Sequence, residues 1–90
     1  MRYLYVKWVH KDPGAPVHIY SELDGDRYET RKVEVYADGR KGFADASENA
    51  GGTVLSDMKV PSLKELETMP EYQAKEIPAE DFQKMWLRRR

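Results

Sequence analysis

The sequence has no cysteine, no long apolar run and almost no excess of charge of either sign. Without cysteine, disulfides, thiolate metal ligands and cysteine nucleophiles are excluded. No apolar run approaches the roughly 18 residues that a membrane span needs. Arg2, Tyr3 and Lys7 interrupt the N-terminal stretch where a signal peptide would have its hydrophobic core. We therefore expect a cytoplasmic protein with no membrane contact.

Fifteen Lys and Arg residues oppose 16 Asp and Glu residues, which gives a net charge of −1. This balance excludes a strongly basic nucleic-acid arm and a polyacidic tail. A hydrophobic content of 40% is too high for a disordered chain. Ninety residues suffice for one compact domain, and no repeat or linker divides them, so we predict a single domain spanning 1–90.

Alternating polarity predicts four antiparallel strands in the first half of the chain. They lie at about 3–9, 17–23, 27–36 and 41–44. The turn signals between them are a Pro-Gly pair at 13–14 and Asp-Gly pairs at 24–25 and 38–39, which tolerate the positive φ of tight turns. The interval 53–58 is a candidate fifth strand, after a loop that contains Gly51 and Gly52.

The C-terminal part of the chain carries two helix signals. Ser62 and Glu65 have the spacing of a capping box, which favours a short helix that ends before Pro70. Pro78 suits the first turn of a second helix, which has one apolar stripe. The stripe consists of Phe82, Met85 and Trp86.

The interval 71–77, between the two helix signals, fits either an extended or an irregular chain. The predicted class is α+β, with an antiparallel meander sheet of four to five strands and two short C-terminal helices packed on one face.

Alternation also assigns side chains to the two faces of the sheet. One face is aliphatic and is expected to lie beneath the helices: Leu4, Val6, Trp8, Val17, Ile19, Leu23, Val33 and Val35. The opposite face is expected to hold five of the six tyrosines with charged residues: Tyr3, Tyr5, Lys7, His18, Tyr20, Glu22, Tyr28, Lys32, Glu34 and Tyr36.

The predicted tyrosine face has three interpretations. Tyrosine suits a half-wet binding surface, but it also stabilises exposed sheets through pairs with Lys and Glu. Alternatively, a helix covers this face and makes the tyrosines part of a second small core. An acidic stretch at the first hairpin adjoins the face. The candidate binding residues are Tyr5, Tyr20, Tyr28, Tyr36, Glu22, Asp24, Asp26 and Glu29.

His10 and His18 flank the loop at 11–16 and are the only histidines available for a metal site or an acid–base pair. A third ligand at diagnostic spacing is missing, and simple alternation points the two rings to opposite faces. We therefore predict no catalytic residue, no metal ligand and no cofactor.

Several segments resemble a family of small single-domain bacterial proteins of unknown function. They are Trp8-Val9-His10, Tyr20-Ser21-Glu22-Leu23-Asp24, Arg31-Lys32-Val33-Glu34-Val35-Tyr36, Gly51-Gly52-Thr53 and Pro78-Ala79-Glu80-Asp81-Phe82. The resemblance covers nearly the whole chain and implies a bacterial, cytoplasmic, stand-alone domain. It transfers no catalytic residue. In size and mild acidity the chain is also similar to immunity proteins that neutralise toxin domains.

The sequence thus predicts a non-enzymatic protein-binding module, in its finer form an immunity-type inhibitor of a bacterial toxin domain. The tyrosines would supply ring contacts, and the acidic hairpin would meet a basic rim on the partner. The alternative is a single-stranded nucleic-acid-binding domain that uses the same tyrosines with Lys7, Lys32, Arg40 and Lys41. The interleaved Glu34 and the neutral overall charge disfavour that alternative.

Overall fold

The computed structural model of the protein describes all 90 residues, which form six strands and two helices. The elements are β1 (Arg2–Trp8), β2 (His18–Leu23), β3 (Glu29–Val35), β4 (Lys41–Ala44), β5 (Asn49–Ala50), α1 (Leu63–Leu66), β6 (Tyr72–Glu76) and α2 (Ala79–Leu87). The strands form one sheet in the order β5-β4-β3-β2-β1-β6, with all neighbours antiparallel. The α+β class and the antiparallel meander are confirmed.

The first four strands lie within two residues of their predicted bounds, but the sheet has six strands instead of four to five. The candidate strand at 53–58 is wrong, because β5 forms earlier, at Asn49–Ala50. Gly51 and Gly52 both have positive φ and turn the chain away after β5. The sixth strand, β6, lies in the interval that fitted either an extended or an irregular chain.

The helices pack on opposite faces of the sheet, so the prediction that both lie on one face is wrong. Leu66 of α1 packs against Leu4 and Val6. On the other face, Phe82 and Trp86 of α2 pack against Val33 and Phe43. The strand β6 separates the two helices in the chain, and the chain changes sides of the sheet as it passes through β6.

The pairing of β2 with β3 explains a second correction. Tyr20 lies opposite Val33 and His18 lies opposite Val35, so the aliphatic residues of β3 share a face with tyrosines. Lys32 lies opposite Ser21, on the other face. The predicted alternation within β3 is confirmed, but the predicted faces of its two sets of side chains are wrong. The register of β2 with β3 shifts by one residue between Glu22 and Leu23, and this shift exchanges the two faces of β3.

The tyrosine face is therefore partly a core. Tyr3 and Tyr20 are half-buried and pack against the cluster that Phe82 and Trp86 form with β3 and β4. The Tyr3 ring lies 5.4 Å from that of Phe82, centroid to centroid. Tyr3 and Tyr20 therefore fit the third interpretation of this face, in which a helix covers the tyrosines and makes them part of a second small core.

At the β4–β5 edge, Gly42 allows a close approach of the chain. Gly42 is buried, and a Cβ added there would overlap Thr53 Oγ1 and lie 3.1 Å from the Ala50 carbonyl oxygen. The Thr53 hydroxyl donates to Glu34 Oε1 at 2.7 Å, so the buried threonine fastens residues 51–53 to β3. Only glycine leaves room for this contact.

We expect Gly42→Ala to lower the free energy of unfolding by about 1–3 kcal/mol, because the new methyl group must displace the Thr53 hydroxyl. Urea denaturation measures the effect. Gly25→Ala is the matched control, since a Cβ at Gly25 meets nothing within 4 Å and its φ is not positive. An equal loss of stability in both variants would contradict this account.

Candidate functional site

Helix α2 covers only part of its face of the sheet and leaves an open groove along its flank. The groove has a volume of about 440 Å³ and is called here the tyrosine groove. It is lined by Tyr5, Tyr20, Lys75, Ile77, Asp81, Lys84, Met85 and Arg88. A second hollow of about 420 Å³ shares Tyr5 and Lys75 with it and extends to Lys7 and along β6, with Glu67 as its one carboxylate.

Strand pairing sets the floor of the tyrosine groove. Tyr5 of β1 lies opposite Tyr20 of β2 on one side and opposite Lys75 of β6 on the other. Residues directly opposite on antiparallel strands share a face, so the three side chains form a row across the sheet. The ring centroids of Tyr5 and Tyr20 are 5.0 Å apart, and Lys75 Nζ lies 5.8 Å from the Tyr5 centroid.

Tyr5 is held in place by His18. The Tyr5 hydroxyl and His18 Nδ1 are hydrogen-bonded at 2.7 Å, and the two rings stack with centroids 5.8 Å apart. Burial raises the pKa of the Tyr5 phenol, and burial together with the nearby Tyr5 raises the pKa of Tyr20. Both phenols are therefore neutral at physiological pH, and the groove takes its charge from lysine and arginine.

The cations of the tyrosine groove have no carboxylate partner. Neither Lys75, Lys84 nor Arg88 forms a salt bridge, and nor does the neighbouring Lys7. Asp81 is the one carboxylate in the lining. The cations that do form salt bridges all lie outside the lining: Arg2, Arg31, Lys32, Arg40, Arg89 and Arg90. The groove thus carries an uncompensated positive charge.

The acidic part of the predicted binding surface is largely used inside the fold. Glu22 forms a salt bridge with Arg31 at 2.6 Å, and Glu29 forms one with Lys32 at 3.0 Å. Asp24 Oδ1 accepts from the backbone N–H groups of residues 26 and 28. Asp26 is exposed at the turn. A continuous acidic rim is therefore not formed.

The eight candidate binding residues do not share one surface. Tyr5 and Tyr20 meet in the tyrosine groove. Tyr28 is 39% exposed near Lys59, 5.8 Å from its ring, and Tyr36 packs under Arg40 at the far hairpin. The binding role of these tyrosines stays a prediction.

Sequence reasoning missed the cations that rim the groove. Lys84 and Arg88 are four residues apart, a spacing that places both on one side of α2 and could have been noticed. Lys75 gave no local signal, because its position depends on the pairing of β6 with β1.

The two histidines are engaged in separate hydrogen bonds. His10 Nδ1 accepts from the Asp12 N–H at 3.0 Å, so Nε2 carries the proton and donates to the Pro16 carbonyl at 2.8 Å. His10 thereby closes the loop at 11–16, whereas His18 bonds to Tyr5. No group of three or more His, Asp or Glu side chains is placed to hold a metal ion.

A sequence profile of the family described as Domain of unknown function (DUF6881) matches residues 2–90. The chain belongs to this family. The resemblance to an uncharacterised family of small domains is thereby confirmed. No curated protein and no solved structure matches the chain. Both helices fall short of the length and apolar character that a membrane-spanning helix requires.

In this DUF6881 domain an ion pair between a buried carboxylate and a half-buried guanidinium fixes α2, which forms one wall of the groove. Arg31 Nε and Nη2 donate to the two carboxylate oxygens of Glu22 at 2.9 and 2.6 Å, and Glu22 is only 7% exposed. The guanidinium lies 4.9 Å from the Phe82 centroid and 5.1 Å from that of Trp86. Arg31 Nη1 also donates to Gln83 Oε1 at 3.3 Å.

Hydrogen bonds from Arg31 lower the pKa of Glu22, with a smaller contribution from the Thr30 hydroxyl, although burial acts in the opposite direction. A carboxyl whose pKa is lowered in the folded state stabilises the fold above its ordinary value of 4.5. That stabilisation is lost as the pH falls through the folded-state pKa. Glu22 therefore makes the domain less stable towards acid.

We expect Glu22→Gln to lower the free energy of unfolding at pH 7 by about 1.5–3 kcal/mol, because a charged hydrogen-bonded pair is lost. The variant should also lose less stability than the wild type as the pH falls below 4.5. Urea titrations across the acid range measure both effects. Glu71→Gln, at an exposed carboxylate without a salt bridge, is the control for neutral pH. An unchanged acid dependence in Glu22→Gln would refute the assignment.

Proposed function

We propose that this DUF6881 domain is a non-enzymatic protein-binding module that docks an acidic partner through the tyrosine groove. The observation that carries the proposal is the set of cations around an aromatic floor. Lys75, Lys84 and Arg88 line the groove without a carboxylate partner within 4.0 Å. An acidic surface would supply the missing counter-charges.

The floor of the groove suits a protein partner. Tyr5 and Tyr20 contribute half-buried aromatic surface, and Ile77 and Met85 add half-buried apolar surface. Tyrosine and methionine are enriched where proteins meet, because they give large contact areas that tolerate partial hydration. A floor of this kind with a charged rim resembles the general anatomy of protein interfaces.

An immunity-type inhibitor is the finer form of this proposal. Docking in the groove would block a toxin domain sterically, and the positive rim favours a toxin with an acidic surface. The basic-rimmed partner predicted from the acidic hairpin is less well supported, because Glu22 and Glu29 already pair with Arg31 and Lys32. A bacterial source and a cytoplasmic location stay predictions.

The alternative, a single-stranded nucleic-acid-binding domain, gains support from the same cations. Stacking of bases, however, requires free ring faces. The Tyr5 ring is stacked with His18 and has Lys75 over it, and Tyr20 packs against the core. Of the four cations expected to bind nucleic acid, Lys32 and Arg40 pair with carboxylates. Protein binding is therefore the better supported function.

Titration of the ¹⁵N-labelled domain with a hexaglutamate peptide tests the proposal. We expect amide shifts concentrated at Tyr5, Lys75 and Lys84, because these residues line the groove. Lys75→Gln combined with Lys84→Gln should weaken binding about two- to thirtyfold, the loss expected for two exposed ion pairs.

The matched control is Lys11→Gln combined with Lys64→Gln, which removes the same charge from exposed lysines outside the groove and should leave binding unchanged. Equal losses in the two double variants would show a non-specific charge effect and contradict groove docking. If an oligothymidylate shifts the amide signals of the groove residues and hexaglutamate does not, the nucleic-acid alternative is favoured.

A further inference from the structure

The outer strand β6 borders the tyrosine groove and leaves its far side unpaired. Hydrogen bonds fix the direction of its backbone groups: Val9 N–H donates to the Glu71 carbonyl, and Ile77 N–H donates to the Tyr3 carbonyl. Residues 71 and 77 therefore face β1. By the alternation of an antiparallel ladder, residues 73 and 75 also face β1, and residues 72, 74 and 76 point outwards.

The outward groups of β6 have almost no partner in the protein. The Tyr72 N–H donates to the Met69 carbonyl at 3.0 Å. No turn, loop or cap hydrogen bond involves the N–H groups of Ala74 and Glu76 or the carbonyls of residues 72, 74 and 76, and the alternation points these groups away from β1. The opposite edge of the sheet differs, because β5 has only two residues and the Ala50 carbonyl accepts from Thr53 N–H. Thus β6 is the edge that can accept another strand.

We propose that the acidic partner binds as an extended segment that pairs antiparallel with β6 and extends the sheet. This inference rests on the proposed function and names how the partner lies in the site. Strand addition provides main-chain hydrogen bonds, and the alternating side chains provide selectivity. The hydrogen bonds would come from the N–H groups of Ala74 and Glu76 and the carbonyls of residues 72, 74 and 76.

The two sides of β6 specify the pattern of the bound segment. Gln73 and Lys75 are exposed on the groove side, where Lys7 lies opposite Gln73, so residues of the segment facing them should be acidic. Tyr72 and Ala74 pack against the cluster of Leu66 on the α1 side. Residues of the segment that face this side should be apolar. The segment therefore alternates acidic and apolar residues.

A second copy of the chain is a poorer occupant of this edge. Antiparallel pairing of two β6 strands about Ala74 would place Lys75 of one copy opposite Gln73 of the other. The lysines at positions 7 and 75 of both copies would then share one face, where Glu71 is the one carboxylate that each copy adds beside β6, so the lysines outnumber the glutamates. Glu76 lies on the other face and forms a salt bridge with Arg2 at 2.6 Å. Like charges on one face oppose this pairing.

Fluorescence anisotropy with the labelled peptide Val-Glu-Val-Glu-Val-Glu-Val tests the proposal. In the expected register the valine N–H groups point at β6, and the glutamate N–H groups point away. We expect N-methylation of the valines to weaken binding at least tenfold. N-methylation of the glutamates, the matched control, should leave affinity within a few-fold of the unmodified peptide.

A variant of the protein gives a second measurement. Ala74→Pro removes an outward N–H and no hydrogen bond to β1, and proline is tolerated on edge strands for this reason. We expect it to weaken binding of the peptide at least tenfold. Ala74→Val keeps the N–H and should bind like the wild type. Circular dichroism checks that both variants fold, and the methylated peptides keep the test decisive if Ala74→Pro does not.

The outcomes separate strand pairing from groove docking. If the valine-methylated and glutamate-methylated peptides bind equally well, and Lys75→Gln/Lys84→Gln weakens peptide binding, strand pairing is overturned and groove docking is supported. If valine methylation weakens peptide binding but the double variant binds the peptide like the wild type, strand pairing is supported and docking in the tyrosine groove is contradicted. No binding at about 1 mM peptide would overturn strand pairing. Dimerisation abolished by Ala74→Pro would overturn it in favour of a second copy.

Discussion

The position of Arg31, between the Glu22 carboxylate and the rings of Phe82 and Trp86, is the interaction on which the rest of the structure depends. A guanidinium can satisfy a carboxylate with its N–H groups and pack its flat face on aromatic rings. Arg31 therefore joins the sheet to α2 by two kinds of contact. Because Glu22 is buried, loss of Arg31 would leave the Glu22 carboxylate without a compensating charge.

The placement of α2 divides one face of the sheet into two environments. Tyr3 is inside, against Phe82, whereas Tyr5 is at the boundary, with its hydroxyl bound to His18. The same residue type on the same strand thus serves the core at one position and the surface two residues later.

Local signals were sufficient for much of the fold. The Ser62 hydroxyl accepts from the Glu65 N–H as the capping box predicted, and Pro78 stands at the N-cap of α2. Both depend on neighbours in the sequence. The face of β3 and the pairing of β6 with β1 depend on distant contacts, so no local pattern contained them. For the same reason Tyr5 and Tyr20 could be selected in advance, but Lys75 could not.

The pairing of β6 with β1 also bears on how the chain folds. Arg2 and Glu76, which form a salt bridge across these strands, are 74 positions apart, whereas β1 to β4 follow each other through short connections. Joining distant segments carries a larger loss of chain entropy than joining neighbours. We therefore expect the meander to form first and β6 to join it afterwards. By the same argument, local opening of β6 leaves the pairing among β1 to β4 in place.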